Sequence, residues 1–453
     1  MNNINLPKPP AFLSWSVLLL ISLAMMGNYY IYDCISPVAD LLISQLGFSQ
    51  MNVGLLNAIY SFPNIFLVLL GGVLIDTIGT KKSTLLFTVL IALGAILTCL
   101  KGNIVVMATG RLLFGIGAES MIIAITTIVA RWFKGKQLAF AFGMNLTIAR
   151  MGSFLAQNSP SWASGAYEKG WQHPLYIAAA FGIFAVICIG IFYYLDYSSE
   201  RKYNLEKEGS QDKVDLKRLF VFPKSIWYIS LLCFIFYSAM FPFISTIGNV
   251  FFQHSYNLSR SDAGCLVSIP ILAAIIFTPL FGLLSDYIGK RSRLMMIGSL
   301  MIIPIYLLLG YGNKLFGMQD LTSLIHIKFS LLSIDSFIPI RLFLLMFILG
   351  LSFSLVPAIM WPSVALIIDS KRLGTAYGLM TMIQNIGLFG FNIIIGYTND
   401  AFHAGKANPS GYLPSMWIFA ACGVLGIIFS IMLKRSANSI GALNLDKPMN
   451  EIK

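Results

Sequence analysis

The sequence predicts an all-α membrane protein of twelve transmembrane helices arranged as two pseudo-symmetric six-helix bundles. Three observations lead to this prediction. Of the 453 residues, 57% are hydrophobic and 11% are charged, whereas a soluble domain carries about a quarter charged residues. Apolar segments of about 20–25 residues, long enough to cross a bilayer, follow one another along the chain. One long charged stretch, 197–224, divides them into two sets of six.

The spans follow from the apolar segments in order. The first, Ala11–Tyr32, is interpreted as an uncleaved helix rather than a signal peptide, because eleven more spans follow it. The later spans centre near residues 64, 91, 118, 148, 184, 238, 274, 301, 355, 385 and 422. We therefore predict residues 1–196 as the N-terminal bundle, 197–224 as a cytoplasmic linker and 225–453 as the C-terminal bundle.

The positive charges predict the orientation. Lysines and arginines in alternate loops number 22 on the side of the N-terminus and seven on the opposite side. Because such residues concentrate in cytoplasmic loops, both termini are predicted to be cytoplasmic. The net charge of +12 therefore indicates membrane topology and gives no reason to expect a nucleic-acid partner.

Cysteines and histidines give no sign of a metal site or of catalysis. The six cysteines lie in or beside apolar segments without paired spacing, and the four histidines are isolated. We interpret the cysteines as small apolar packing residues. Since the sequence shows no nucleophile–base or metal-binding constellation, we expect neither an enzyme nor a bound cofactor.

An internal repeat supports the division into halves. A glycine–aspartate–glycine pattern ends the second span and recurs 210 residues later at the end of the eighth. Its members are Gly72, Asp76, Gly79, Gly282, Asp286 and Gly289. A weaker echo at an offset of 235 pairs the dipeptide ending at Gly143 with that ending at Gly378, and Arg150 with Asn385.

The repeated pattern resembles the signature of the major facilitator superfamily, whose members are alternating-access transporters. We expect its glycines to permit close helix approach and its aspartates to accept hydrogen bonds from a neighbouring helix N-terminus. The resemblance implies a role in the conformational cycle rather than in substrate binding. Arg111, which precedes Gly115 and Gly117, resembles the family's fourth-span motif; a structural and a conformational role both remain open for it.

Two charges lie deep in apolar segments. Glu119 and Arg150 are each about 20 Å from the basic turn between their spans, near the middle of a ~30 Å hydrocarbon core. Each costs about 2.5–3.5 kcal/mol on insertion scales. One interpretation is an ion pair that joins the fourth and fifth spans. The other is that they face a cavity and bind opposite ends of a zwitterion, because Arg suits a carboxylate and Glu an ammonium group.

Polar and aromatic residues at the same depth are further candidates for a binding site. They are Tyr29, Tyr60, Asn145, Trp361, Gln384 and Asn385. Ordinary hydrogen bonding between helices is an alternative for each of them. Trp361 is the strongest candidate, because the adjacent Pro362 frees backbone groups in its helix.

Several longer segments resemble the lysosomal dipeptide uniporters within the major facilitator superfamily. Among them are NYYIYD at 28–33, FGIGAES at 114–120, ARMGS at 149–153 and FGLLSDYIGK at 281–290. The resemblance implies that Glu119 binds the amino end of a dipeptide and Arg150 its carboxyl end. It also implies facilitative transport with no obligatory ion gradient.

Two other functional hypotheses remain open. The first is a proton-coupled importer of peptides, amino acids or organic anions, in which Glu119 titrates. The second is a membrane sensor that binds its ligand without turnover. The N-terminus MNNINLPKPP differs from that of the family's animal members, so we expect a bacterial inner membrane, with the lysosomal membrane as the alternative. We do not expect an accessory subunit.

Overall fold

The chain folds into long helices that span a membrane. A computed structural model describes residues 9–133, 137–200, 202–203, 222–316, 323–368, 372–439 and 445–448. Within these residues, ten helical segments are long and apolar enough to cross a membrane. Two further long helices, Gln50–Ile78 and Leu138–Gln157, complete the predicted twelve. The second of these is less apolar because it carries Asn145, Arg150 and Gln157.

The N-terminal half contains nine helical segments within the described residues. They are α1 (Ala11–Asp33), α2 (Ile35–Leu46), α3 (Gln50–Ile78), α4 (Thr80–Leu100), α5 (Ile104–Trp132), α6 (Leu138–Gln157), α7 (Ser159–Trp162), α8 (Ser164–Glu168) and α9 (Gln172–Glu200). Helices α1 and α2 form one span, interrupted at Cys34. Pro37 explains the interruption, because it has no N–H to offer to the carbonyl of Asp33 four residues earlier.

The C-terminal half repeats this pattern with two additions. Its helices are α10 (Lys224–Pro242), α11 (Gly248–Tyr256), α12 (Arg260–Ile288), α13 (Arg291–Phe316), α14 (Ile340–Ile367), α15 (Leu373–Ala401) and α16 (Leu413–Ser439). A π-helical turn, Phe243–Ile247, joins α10 to α11. An antiparallel hairpin of β1 (Leu324–Phe329) and β2 (Ile334–Pro339) precedes α14 and pairs Leu324 with Pro339. Sequence analysis did not predict this hairpin.

Each half buries an apolar core of its own. One core is built from side chains between Val17 and Phe192, joined by Val250 of α11, and the other from side chains between Phe222 and Leu445. The predicted fold class is therefore confirmed. Helix α9 continues to Glu200 and α10 begins at Lys224. These helix ends do not test the predicted domain limits at 196 and 225, which remain predictions.

The two halves meet along two helix pairs. Helix α3 packs along α15, and α6 packs along α12. We call the side on which α1 begins and α16 ends the inner side, and the opposite side the outer side. By the alternation of the spans, α5 ends and α15 begins on the inner side.

The repeated pattern at the ends of α3 and α12 places its last glycine at a positive φ angle. Gly79 has a φ of 85° and Gly289 a φ of 66°, values that a residue with a side chain rarely adopts. A Cβ on Gly282 would meet no atom within 4 Å, so the close helix approach expected there is wrong for this conformation. Gly72 and Asp76 lie in a part of α3 whose side chains the structure does not describe.

The expected hydrogen bonds from a helix N-terminus to Asp286 are also wrong. Asp286 instead forms a salt bridge with Arg291 at 2.8 Å. The N-terminus of α13 is bound by Asp446, whose carboxylate accepts hydrogen bonds from the backbone N–H of Ser292 at 2.9 Å and from its hydroxyl at 2.5 Å. A residue far along the chain therefore stabilises this helix N-terminus.

Candidate binding cavity

A cavity of about 830 Å³ lies between the two halves, within the range of about 300–1,000 Å³ that small-molecule sites occupy. Side chains of both halves line it. Six of the eight predicted binding residues are in its wall: Tyr29, Tyr60, Glu119, Arg150, Trp361 and Gln384.

Glu119 is held against α3 by one hydrogen bond. The hydroxyl of Tyr60 donates to Glu119 Oε1 at 2.9 Å. Gly115 makes this contact possible, because a Cβ there would meet the Tyr60 carbonyl oxygen at 2.3 Å. Glu119 lies one helical turn after Gly115 on the same face of α5, so the close approach of the two backbones brings the carboxylate to the tyrosine hydroxyl.

Arg150 lies between aromatic rings from the two halves. Its guanidinium carbon is 5.2 Å from the ring centre of Tyr29 on α1 and 5.5 Å from that of Phe353 on α14. Contacts of this kind are worth about 0.5–2 kcal/mol each. They leave the N–H groups of Arg150 without a hydrogen-bond acceptor among the described residues, so these donors are available to a ligand in the cavity.

Glu119 and Arg150 form no salt bridge with each other, which requires a nitrogen–oxygen distance of 4.0 Å or less. The interpretation that they exist as an ion pair joining α5 and α6 is therefore wrong for this conformation. Both charged groups face one cavity from separate helices, and neither neutralises the other.

The C-terminal half contributes aromatic and neutral polar groups. Trp361 Nε1 donates a hydrogen bond to the hydroxyl of Tyr237 at 3.0 Å. The hydroxyl of Tyr377 donates to the carbonyl oxygen of Trp361 at 3.2 Å. The Tyr237 ring stacks on Phe241 at a centroid distance of 5.4 Å. These contacts fix the indole of Trp361, while Gln384 adds an amide to the same wall.

Two predicted residues lie outside the cavity wall. Asn145 donates a hydrogen bond to the hydroxyl of Ser22 at 2.9 Å and so joins α6 to α1. Asn385 is fully buried, and its amide donates to the Thr381 carbonyl within α15. For both, the structure favours the alternative of hydrogen bonding within the helical bundle.

The cavity wall contains further residues that we did not predict. The internal repeat in the sequence could have indicated two of them. Phe142 and Tyr377 both line the cavity and are related by the offset of 235 that relates Gly143 to Gly378. Pseudo-equivalent positions of the two halves therefore contribute one aromatic ring each. Tyr32 and Thr381 also line the wall, without any such signal.

The cavity opens towards the inner side. Its wall includes Thr126 and Ala130 near the inner end of α5, and Leu373 and Gly374 at the inner start of α15. Thr126, Ala130 and Gly374 are exposed. A ligand therefore reaches Glu119 and Arg150 from the inner side in this conformation.

On the outer side the halves are held together by polar contacts. Arg260 of α12 forms a salt bridge with Asp40 of α2 at 2.5 Å. Asp400, near the end of α15, accepts hydrogen bonds from the backbone N–H groups of Gln50 and Met51, each at 2.8 Å. These two N–H groups belong to the first turn of α3, so an aspartate of one half stabilises a helix N-terminus of the other.

Arg111 has a structural role close to these contacts. It is 1% exposed and donates four hydrogen bonds. The acceptors are the carbonyl oxygens of Leu56, Ile31 and Tyr32 and Oδ1 of Asn57, at 2.7–3.1 Å. Arg111 therefore supports the α1–α2 interruption, and Asn57 extends the network to the other half by donating to the Ser245 carbonyl.

Comparison with known proteins identifies the family. The model of the Major Facilitator Superfamily matches residues 21–389 and 243–444. The chain belongs to this superfamily. It is 30% identical to the lysosomal dipeptide transporter MFSD1 of Danio rerio over 440 residues, covering 94% of this chain and 87% of that protein. It is 31% identical to MFSD1 of Homo sapiens over 429 residues, covering 92% and 85%.

Solved structures show the same superfamily fold. A variant of the nucleoside transporter NupG matches with a TM-score of 0.70 at 15% identity, covering 93% of this chain and 99% of that one. A bacterial homologue of the human lysosomal transporter Spinster matches with a TM-score of 0.65 at 18% identity, covering 94% and 97%. As a superfamily member with these relatives, the chain is a multi-pass membrane transporter and not an enzyme.

Proposed function

We propose that this transporter carries dipeptides or similar small zwitterions by alternating access. The main support for this proposal is that Glu119 and Arg150 face one cavity without forming a salt bridge with each other. A ligand with an ammonium group at one end and a carboxylate at the other satisfies both residues at once. The similarity to lysosomal dipeptide transporters supports the same substrate class.

Each charged end of the ligand would bind one charged residue of the cavity. Arg150 offers a planar fork of N–H donors, which binds a carboxylate bidentately, and Glu119 accepts from an ammonium group. The two ends of an extended dipeptide are separated by about 6–7 Å. A free amino acid holds its two charges much closer together and cannot reach both residues as easily.

The cavity wall can contact ligand side chains of different shape and polarity. The C-terminal half contributes Tyr237, Trp361 and Tyr377, together with the amide of Gln384. Aromatic surfaces contact apolar side chains of different shapes, and the hydroxyl and amide groups accept polar ones. We therefore infer that binding depends on the two charged ends and only loosely on the side chains between them.

Transport is proposed to be facilitative, with proton-coupled import as the second candidate. Glu119 has a single hydrogen-bond donor, Tyr60, and no cation partner among the described residues, which is the observation that favours a proton-exchanging role. The membrane is proposed to be a bacterial inner membrane, with the inner side of the bundle facing the cytoplasm.

Proteoliposomes loaded with unlabelled dipeptide test the proposal by counterflow of labelled dipeptide. We expect counterflow by the unmodified protein, and its loss in both Glu119→Gln and Arg150→Ala. Glu168→Gln is the matched control, because Glu168 is an exposed carboxylate outside the cavity. Unchanged counterflow in either cavity variant refutes the assigned roles. Saturable binding without any counterflow would indicate a sensor.

An imposed pH gradient separates the two modes of transport. A facilitative carrier equilibrates the dipeptide and does not concentrate it, with or without a protonophore. Accumulation that follows the gradient and collapses with the protonophore would establish proton coupling instead.

A further inference from the structure

Asp33 is a buried carboxylate that the binding cavity does not use. It ends α1 at the interruption before α2 and is 4% exposed. Its Oδ1 has no hydrogen-bond partner, and it forms no salt bridge with a described residue. Burying an ionised carboxylate without a partner is costly, whereas the neutral acid is buried more easily.

Two hydroxyl groups and two arginines surround Asp33. The hydroxyls of Ser153 on α6 and Ser245 in the π-helical turn face its carboxyl group, and the Ser153 hydroxyl has no hydrogen-bond partner of its own. Arg111 is nearby, but four of its hydrogen bonds go to other groups. Arg150 lies between two aromatic rings in the cavity wall.

The remaining titratable groups near Asp33 carry no positive charge. They are Tyr29 and Tyr32 on α1 and Cys34 at the interruption. The positively charged groups near Asp33 are therefore Arg111 on α5 and Arg150 on α6, and neither forms a salt bridge with it among the described residues.

Asp33 lies within a group of contacts that close the outer side. The carbonyl oxygens of Ile244 and Ser245 accept hydrogen bonds from the other half. Ser36 and Gln157 donate to Ile244 at 3.3 and 3.2 Å, and Asn57 donates to Ser245 at 2.8 Å. We call these three contacts the outer seal. Separation of the two halves on the outer side would break them, withdraw Ser245 from Asp33 and admit water to the carboxylate.

We propose that Asp33 is a proton-binding site that is occupied when the outer seal is closed and vacated when it opens. The proton comes from the outer aqueous phase as the seal forms, and an O–H bond forms on the Asp33 carboxylate. It returns to the outer water when the seal breaks. Asp33 does not line the inward-open cavity, so we assign proton exchange to the outer side.

The site makes conformation depend on the pH of the outer compartment. The closed state binds one more proton than the open state, so acid conditions populate the closed outer seal and alkaline conditions populate the open one. For one linked proton, the ratio of open to closed molecules changes by up to about tenfold per pH unit. The proton regulates the carrier and does not drive it, and this holds whatever substrate the cavity binds.

The distance between labels on the two halves reports the state of the seal. Spin labels at Ser44→Cys on α2 and Ala407→Cys before α16 are suitable, because both positions are exposed and all six native cysteines are buried. In nanodiscs without substrate, we expect the long-distance population to grow as the pH rises. In Asp33→Asn, which is neutral at every pH, the short distance should persist throughout.

Two more variants provide a control and a second test of the role of Asp33. Glu168→Gln removes an exposed outer carboxylate and should keep the full pH response. Ser245→Ala removes a hydroxyl that faces the Asp33 carboxyl group, so the response should remain and its midpoint should change. The melting temperature and the size-exclusion profile show whether each variant is folded. A pH response in Asp33→Asn equal to that of the unmodified protein overturns the proposal, as does an unchanged midpoint in Ser245→Ala.

Exchange of sodium for choline at constant pH distinguishes a proton from a metal cation at the same oxygen atoms. We expect the distance distribution to stay the same. Closure that requires sodium would overturn the assignment of a proton.

Discussion

Glu119 and Arg150 face a common cavity from adjacent helices, yet they are not paired with each other. Tyr60 holds the carboxylate, and the rings of Tyr29 and Phe353 hold the guanidinium. The cost of placing two charges in the hydrocarbon region is therefore not offset by a mutual salt bridge. In the proposed function, a ligand with complementary charges at its two ends offsets it, which would explain why both residues are present at this depth.

Removing the hydroxyl of Tyr60 should weaken substrate binding without abolishing it. In Tyr60→Phe the Glu119 carboxylate loses the one hydrogen bond that orients it. Hydrogen bonds to charged groups contribute about 1.5–3 kcal/mol, so we expect the dipeptide Kd, measured by calorimetry, to rise by about tenfold or more. Tyr194→Phe is the control, since Tyr194 is 70% exposed. Equal affinities in the two variants would contradict this role of Tyr60.

Replacing Arg150 by lysine should preserve charge and lose the bidentate contact. We expect Arg150→Lys to bind dipeptides more weakly than the unmodified protein and more tightly than Arg150→Ala, because a lysine ammonium is a point charge without the planar fork. Binding titrations of all three proteins with one dipeptide check the order. If lysine restores full affinity, the carboxylate is recognised by charge alone.

Breaking the contact of Asp400 with α3 should favour the outer-open conformation. Asp400→Ala leaves the N–H groups of Gln50 and Met51 without their acceptor, and losing a helix cap costs about 0.5–2 kcal/mol. The outer-open population should rise by about 2- to 30-fold, measured as the distance between spin labels at Ser44→Cys and Ala407→Cys, which are both exposed. Asp262→Ala, on the outer side but outside the contacts between the halves, is the control. No change in the distance distribution would show that Asp400 does not stabilise the closed side.

Removing the Asp446 carboxylate should destabilise the C-terminal half. In Asp446→Ala the N-terminus of α13 loses its two hydrogen bonds with this carboxylate, so we expect a lower melting temperature. Lys447→Ala is the matched control, because Lys447 contributes its backbone carbonyl to the neighbouring contact with Arg291. Equal melting temperatures for the two variants would argue against a capping role.

Hydropathy and charge predicted the helices well, because span length and loop charge depend on local sequence. Depth along a helix predicted Glu119 and Arg150 at one level, and both residues line one cavity. Their mutual distance was beyond prediction, since it depends on how α5 and α6 are rotated relative to each other. The same rotation separates Arg150, which lines the cavity, from Asn145, which packs on Ser22.

Contacts between distant parts of the chain were also not predictable. Asp400 binds the start of α3 some 350 residues away in sequence, and Asp446 binds α13 from 154 residues away. No periodic pattern encodes such pairs. The internal repeat was the exception, because the offset that relates Gly143 to Gly378 also relates the cavity residues Phe142 and Tyr377.

End-blocked dipeptides test directly whether Glu119 and Arg150 bind the two ends of the substrate, when the affinity of each ligand is measured for each variant. We expect an acetyl group on the amino end to weaken binding to the unmodified protein strongly, and binding to Glu119→Gln much less. Amidation of the carboxyl end should weaken binding to the unmodified protein strongly, and to Arg150→Ala much less. If both variants still discriminate against both blocked ends as the unmodified protein does, Glu119 and Arg150 do not bind the two ends of the substrate.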